Sequence, residues 1–142
     1  MLVVVDDASG DPLPDIPGVT VVRHAYRRGI AMTKNRCIAE LVDADCDHLF
    51  LADDDVNPVS RDWWRPYVES PQPHLQLQWV AAKRTARQPV TVHHDDQHFA
   101  TTFPRGVLYY ADRKIIDIVG GMDPSHGAWG GEHVEWTLRI HN

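Results

Sequence analysis

Cysteine is scarce in this chain: only Cys37 and Cys46 occur in 142 residues, which argues against a disulfide scaffold. Cys37 falls inside a helical pattern, so both thiols are read as reduced, in keeping with a reducing, cytoplasmic setting. Long apolar runs are missing too. Leu2 to Val5 is followed at once by Asp6 and Asp7, and no later stretch approaches the ~20 residues that cross a bilayer. Neither a signal peptide nor a membrane span is expected. Lys and Arg form no run in a chain of net charge -6, which argues against nucleic acid as a partner, because tracking a phosphate backbone needs a basic stripe. No internal repeat, low-complexity tract or linker interrupts the chain. Residues 1–142 are therefore expected to form one domain, burying roughly 68% of the unfolded surface.

What is abundant is aspartate. Only four of the twenty acidic residues are Glu, and Asp sits at the ends of apolar runs (Asp6, Asp7, Asp53 to Asp55), where short carboxylates serve turns and oxygen-ligand cations. The runs themselves alternate between strand and helix patterns. Leu2–Val5, Val19–Arg23, His48–Ala52, Leu75–Ala82 and Gly106–Ala111 read as strands, with Pro89 to Val92 as an edge strand. Helices are expected over Ala31–Val42, around Arg61–Val68, over Asp112–Val119 and from Gly131 to the C-terminus, the first exposing Lys34, Asn35 and Arg36. That alternation predicts an α/β layer architecture.

Two segments carry chemistry. In the first, the apolar strand His48–Ala52 ends in Asp53-Asp54-Asp55. Alternate strand residues share a face, so Asp53 and Asp55 are expected to converge on one Mg²⁺ or Mn²⁺, which would complete its shell with water and substrate phosphates. The competing reading is a solvated acidic turn. In the second, Gly120-Gly-Met-Asp123 leads to Trp129-Gly-Gly-Glu132-His133, an aromatic platform, two permissive glycines and an acid/base pair at a loop-to-helix junction. Its competing reading is a glycine turn with acids that favour the helix dipole. A loop with His93, His94, Asp95, Asp96 and His98 competes as a metal site for Zn²⁺ or Mn²⁺ but matches no closed zinc spacing. Arg84, Arg87 and Arg105 are second-tier candidates for phosphate or acceptor contacts, against the reading of ordinary surface charges.

In order along the chain, these segments resemble the nucleotide-sugar glycosyltransferases of the GT-A fold. Val3 to Asp11 resembles the strand and turn that contact the nucleotide base, Gly29 to Asn35 the family's helix start, and Asp53-Asp54-Asp55 the DxD metal motif. Gly120 to Asp123 and Trp129 to Glu132 resemble the acceptor-side motif of β-galactosyltransferases and polypeptide N-acetylgalactosaminyltransferases. The resemblance implies a Rossmann-like, mixed but mainly parallel sheet flanked by helices and lacking the usual first βα unit. It implies a metal-dependent transfer of a hexosyl or N-acetylhexosaminyl group from a nucleotide-diphosphate sugar, UDP-sugar first, to a glycan, protein or lipid-linked acceptor. Asp7, Lys34, Asp53 and Asp54 would bind the donor, Asp53 and Asp55 the Mn²⁺ or Mg²⁺, and Trp129, Gly130, Gly131 and Glu132 the sugars.

Glu132 and His133 would be catalytic. Inverting relatives commonly carry Asp after the Glu and retaining ones often Asn, so His133 leaves the stereochemistry open; its imidazole suits a general base at neutral pH. The resemblance implies that the family segment after the last helix, which often supplies a third metal ligand, has no counterpart among these residues, with His141 a candidate for that position against a merely exposed helix end. A non-catalytic nucleotide-sugar binding remnant and a metal-dependent phosphohydrolase are the alternatives.

Overall fold

The computed structural model describes residues 1–77, 91–94, 99–101, 106–128 and 130–142. Strand β1 (Val3–Asp6) pairs in parallel with β2 (Thr20–Arg23). Helix α1 (Ile30–Asp43) follows, then β3 (His48–Ala52), the short α2 (Arg65–Val68) and β4 (His74–Gln76). An antiparallel hairpin of β5 (Thr91–His94) and β6 (Phe99–Thr101) precedes β7 (Leu108–Asp112). Helix α3 (Arg113–Val119), a 3₁₀ turn (Pro124–His126) and helix α4 (Glu132–His141) complete the chain.

The α/β class holds, but the expected mainly parallel sheet does not. Strand β7 lies between β3 and β4 and is antiparallel to both. Only β1 and β2 pair in parallel among the described residues, as a separate sheet that packs on the same α1 as β3.

The burial pattern explains the three-stranded layer. In β3, Leu49 and Leu51 are buried while Phe50 turns to the opposite face, the period-2 alternation of a strand between two unlike environments. Their register partners follow suit: Leu49 faces Ala111 and Leu51 faces Tyr109 on the core side, with Phe50 opposite Tyr110. On that second face Phe50, Trp63, Tyr67 and Tyr110 form edge-on and tilted ring contacts 5.0–6.4 Å apart, the offset geometries aromatic quadrupoles prefer. Helix α2 is shorter than expected. It starts only at Arg65, with Pro66 in its first turn, where a missing N–H is harmless.

The main core joins Ala31, Ile38 and Leu41 of α1 to Leu49, Leu51, Tyr109, Ala111, Ile116, Met122 and Trp136. Helix α1 therefore has more than one buried side. Lys34, expected on the exposed face, is 7% exposed, and Asn35 is half-buried, whereas Arg36 is exposed as expected. Contacts of α1 with the sheet, with α4 and with the 3₁₀ turn account for the difference.

The other helices follow local chemistry. Asp112 caps α3 by accepting from the Lys114 N–H at 2.6 Å. Acidic Glu132 and Glu135 open α4, and Arg139 and His141 close it, each favourable to the helix dipole. Both thiols are free and half-buried, with burial raising the Cys37 pKa. Among the described residues no helix is long and apolar enough to cross a membrane.

Candidate functional site

Strand β3 stops at Ala52, and Asp53-Asp54-Asp55 forms a turn anchored by the Asp53 N–H to the Val107 carbonyl at 3.0 Å. Strand alternation therefore does not govern these carboxylates, contrary to expectation. The turn nevertheless brings Asp53 and Asp55 to the wall of one cavity of about 350 Å³, shared with Val56, Leu77 and Val107. Asp54 is exposed. Among the described residues no group of three or more His, Cys, Asp or Glu could hold a metal. A two-carboxylate donor set suits Mg²⁺ or Mn²⁺ that takes its remaining ligands from water and phosphate, and does not suit a closed protein cage.

Lys34 reaches this turn from α1. Its Nζ donates to Asp53 Oδ1 at 2.6 Å and lies 5.6 Å from the Tyr109 ring centroid, a cation–π distance. Tyr109 is 1% exposed and belongs to the central strand β7. Burial first, then the negative charges of Asp53 and Glu132, push its hydroxyl pKa well up. One tyrosine thus senses both acidic anchors of the chain, although Asp53 and Glu132 are far apart in sequence.

Glu132, 5% exposed, opens α4. Its Oε2 accepts from the Gly130 N–H at 2.7 Å, and His133 Nδ1 lies 3.4 Å from its Oε1. Burial raises its pKa, but its own N–H, the Gly130 N–H and His133 together outweigh that and keep it below the usual carboxylate range. Glu132 is therefore an anion at neutral pH. An anion there favours the Nδ1–H tautomer of His133 and leaves Nε2 with the lone pair. Tyr109 and His133 have ring centroids 6.2 Å apart, so the acid/base pair borders the same tyrosine. Gly131 takes a left-handed conformation as the α4 N-cap.

The loops that carry these groups are tied to α1. Asp7 Oδ1 takes His24 Nδ1 and the Arg28 N–H, and Oδ2 takes the Gly29 N–H, all at 2.8 Å. Burial opposes the charge on Asp7, yet these three partners hold its pKa down. Its carboxylate serves the start of α1, so any contact with a nucleobase would share an oxygen already engaged. Gly29, at φ +86°, lies against the loop before Trp129: a Cβ there would come within 2.9 Å of the Ala128 Cα, and the Ile30 N–H donates to the Ala128 carbonyl at 3.1 Å. Positive φ and close approach both demand glycine.

Asn35 makes a second tie, across 87 positions. Its Oδ1 accepts from the Met122 N–H and its Nδ2 donates to the Met122 carbonyl, both at 2.7 Å. The Trp136 indole N–H donates to the Gly120 carbonyl at 2.9 Å, and Arg139 donates to the Val119 and Gly121 carbonyls at 2.7 Å. The Gly120-Gly-Met turn is thereby held by α1 and α4.

The structure brings Lys34, Asp53, Glu132 and His133 around Tyr109, with Asp55 beside Asp53; Asp7 stands apart at the α1 start. Trp129 lies outside the described residues, as do Arg84, Arg87, Arg105, Asp95, Asp96 and His98. His93 and His94 belong to β5. His141 is at the exposed end of α4, 6.0 Å from the His74 ring, and not among the residues lining the Asp53 cavity. Tyr109, Trp136 and Arg139 carried no signal of their own in the sequence, and Asn35 was expected only on an exposed helix face. A Tyr-Tyr pair within a strand otherwise reads as core. No protein-family model, curated protein or solved structure matches the chain.

Proposed function

We propose that the chain is a metal-dependent glycosyltransferase that moves a hexosyl or N-acetylhexosaminyl group from a nucleotide-diphosphate sugar, a UDP-sugar first, to an acceptor hydroxyl. The observation that carries the reading is the meeting of both acidic anchors at Tyr109. Lys34, bonded to Asp53, lies 5.6 Å from the Tyr109 ring, and the ring of His133, next to Glu132, lies 6.2 Å from it. In this reading the diphosphate lies at Asp53 and Asp55 and the sugar towards Glu132 and His133.

Asp53 and Asp55 would hold Mn²⁺ or Mg²⁺, which when bound offsets charge developing on the leaving diphosphate. Lys34 adds a second positive charge on that side. His133 Nε2 would take the acceptor proton as the acceptor oxygen bonds to the anomeric carbon and the bond from that carbon to the diphosphate oxygen breaks. Glu132 would hold the imidazole in the tautomer that accepts it.

Calorimetric titration with UDP and with GDP, with and without Mn²⁺, tests the core of the reading. Mn²⁺-dependent binding that disappears in Asp55→Ala while the fold persists is the expected result, and binding unchanged in that variant would remove the metal assignment. Binding of a UDP-sugar with neither transfer nor hydrolysis would point to a non-catalytic binding module instead.

A further inference from the structure

Lys34 is buried, and its ammonium already sits on the carboxylate assigned to a cation. We propose that Lys34 is the resident counter-ion of Asp53 and yields that carboxylate to a divalent cation only when a diphosphate is present to take the ammonium in exchange; this rests on the metal and nucleotide assignment above. Asp53 can neutralise one partner well. Its side chain is 40% exposed and borders the cavity, whereas that of Lys34 is 9% exposed.

The two partners are therefore unequally committed. Asp53 has solvent to fall back on. Lys34 has the Asp53 oxygen at 2.6 Å and the Tyr109 face at 5.6 Å, and a buried ammonium stripped of its anion is costly. A cation that took Asp53 alone would leave Lys34 stranded. Diphosphate oxygens remove that cost, because they offer a charge-assisted bond to the same ammonium. Cation and diphosphate should bind cooperatively, and the coupling must be equal in both directions.

The test titrates Mn²⁺ into the full chain, following free Mn²⁺ by electron paramagnetic resonance, with and without UDP, for wild type, Lys34→Met and Lys34→Gln. Both substitutions remove the competitor. Each should tighten the binding of Mn²⁺ alone by about tenfold and shrink the cooperativity with UDP by about the same factor. Circular dichroism establishes that each variant is folded. In wild type, NMR of the Lys34 side chain should show a shift on adding Mg²⁺ with UDP and none with Mg²⁺ alone, a readout that needs no variant. Unchanged or weaker Mn²⁺ binding in the folded variants, or a Lys34 response to Mg²⁺ alone, overturns the exchange. If wild type still binds UDP with Mn²⁺ in that case, the site assignment stands without it; if none of the three chains binds Mn²⁺ or UDP, both fall.

Discussion

Replacing Gly121 by Ala should destabilise the protein only as long as Asn35 is present. Gly121 is outside the left-handed region, so alanine brings no backbone strain, and the whole cost is steric. The new methyl would crowd Asn35 Oδ1 and lie 2.8 Å from its Cγ. A free side chain would swing away, but Asn35 is held by its two 2.7 Å bonds to Met122. Met122 is 2% exposed, so its N–H and carbonyl regain water poorly once Asn35 leaves. Losing both partners costs about 2–4 kcal/mol at 1–3 kcal/mol per stranded group with partial hydration.

Asn35→Ala should therefore cost about 2–4 kcal/mol, and Gly121→Ala a similar amount. In the double variant the methyl occupies the space Asn35 vacated, and the second substitution should add less than about 1 kcal/mol, a coupling of about 2 kcal/mol. Urea unfolding of the four proteins measures it. Each single variant should also melt roughly 6–12 °C lower, at about 3 °C per kcal/mol for a domain of this size. A cycle that closes additively within about 0.5 kcal/mol would refute the account of how the Gly120-Gly-Met turn is held.

Acid should destabilise the fold through His74. Burial lowers its pKa to about 4 from 6.5, so between those values the unfolded chain binds a proton that the folded one does not. Its contribution is complete above about pH 6.5 and is lost as the pH falls to about 4, a total of roughly 3 kcal/mol. In His74→Phe the pH dependence of urea unfolding should flatten across that window; an unchanged slope would exonerate His74. Trp136→Phe should cost about 2–3 kcal/mol in the same assay, since it shrinks a fully buried ring and removes its bond to the Gly120 carbonyl. Asp7→Asn keeps the shape but loses the anion that accepts from His24, Arg28 and Gly29. Faster amide hydrogen exchange at Arg28 and Gly29 is expected, and unaltered exchange there would show that Asp7 does not hold the start of α1.

Wherever neighbours along the chain suffice to define an element, the sequence alone determined it. The short apolar run Leu49-Phe50-Leu51, closed by three aspartates, marks β3, and its bounds His48–Ala52 are those expected. Asp112 marks the start of α3 by answering the unpaired Lys114 N–H, and the acids opening α4 suit the positive end of its dipole. The acidic turn and the Gly-Gly-Glu-His junction were likewise visible as local chemistry. Only the tertiary structure decided what these pieces meet. Helical periodicity put Lys34 and Asn35 on the outside, since it registers apolar side chains and cannot register a buried ammonium matched by Asp53 or an amide matched by a turn 87 residues away. Strand direction was equally beyond it: β7 is antiparallel to both neighbours, and a run of buried residues looks the same in either sense. Tyr109 reads locally as core and is core. Its place between Asp53 and Glu132 comes from the pairing of β3 with β7 and the packing of α1 and α4 around them, long-range contacts that no local pattern encodes.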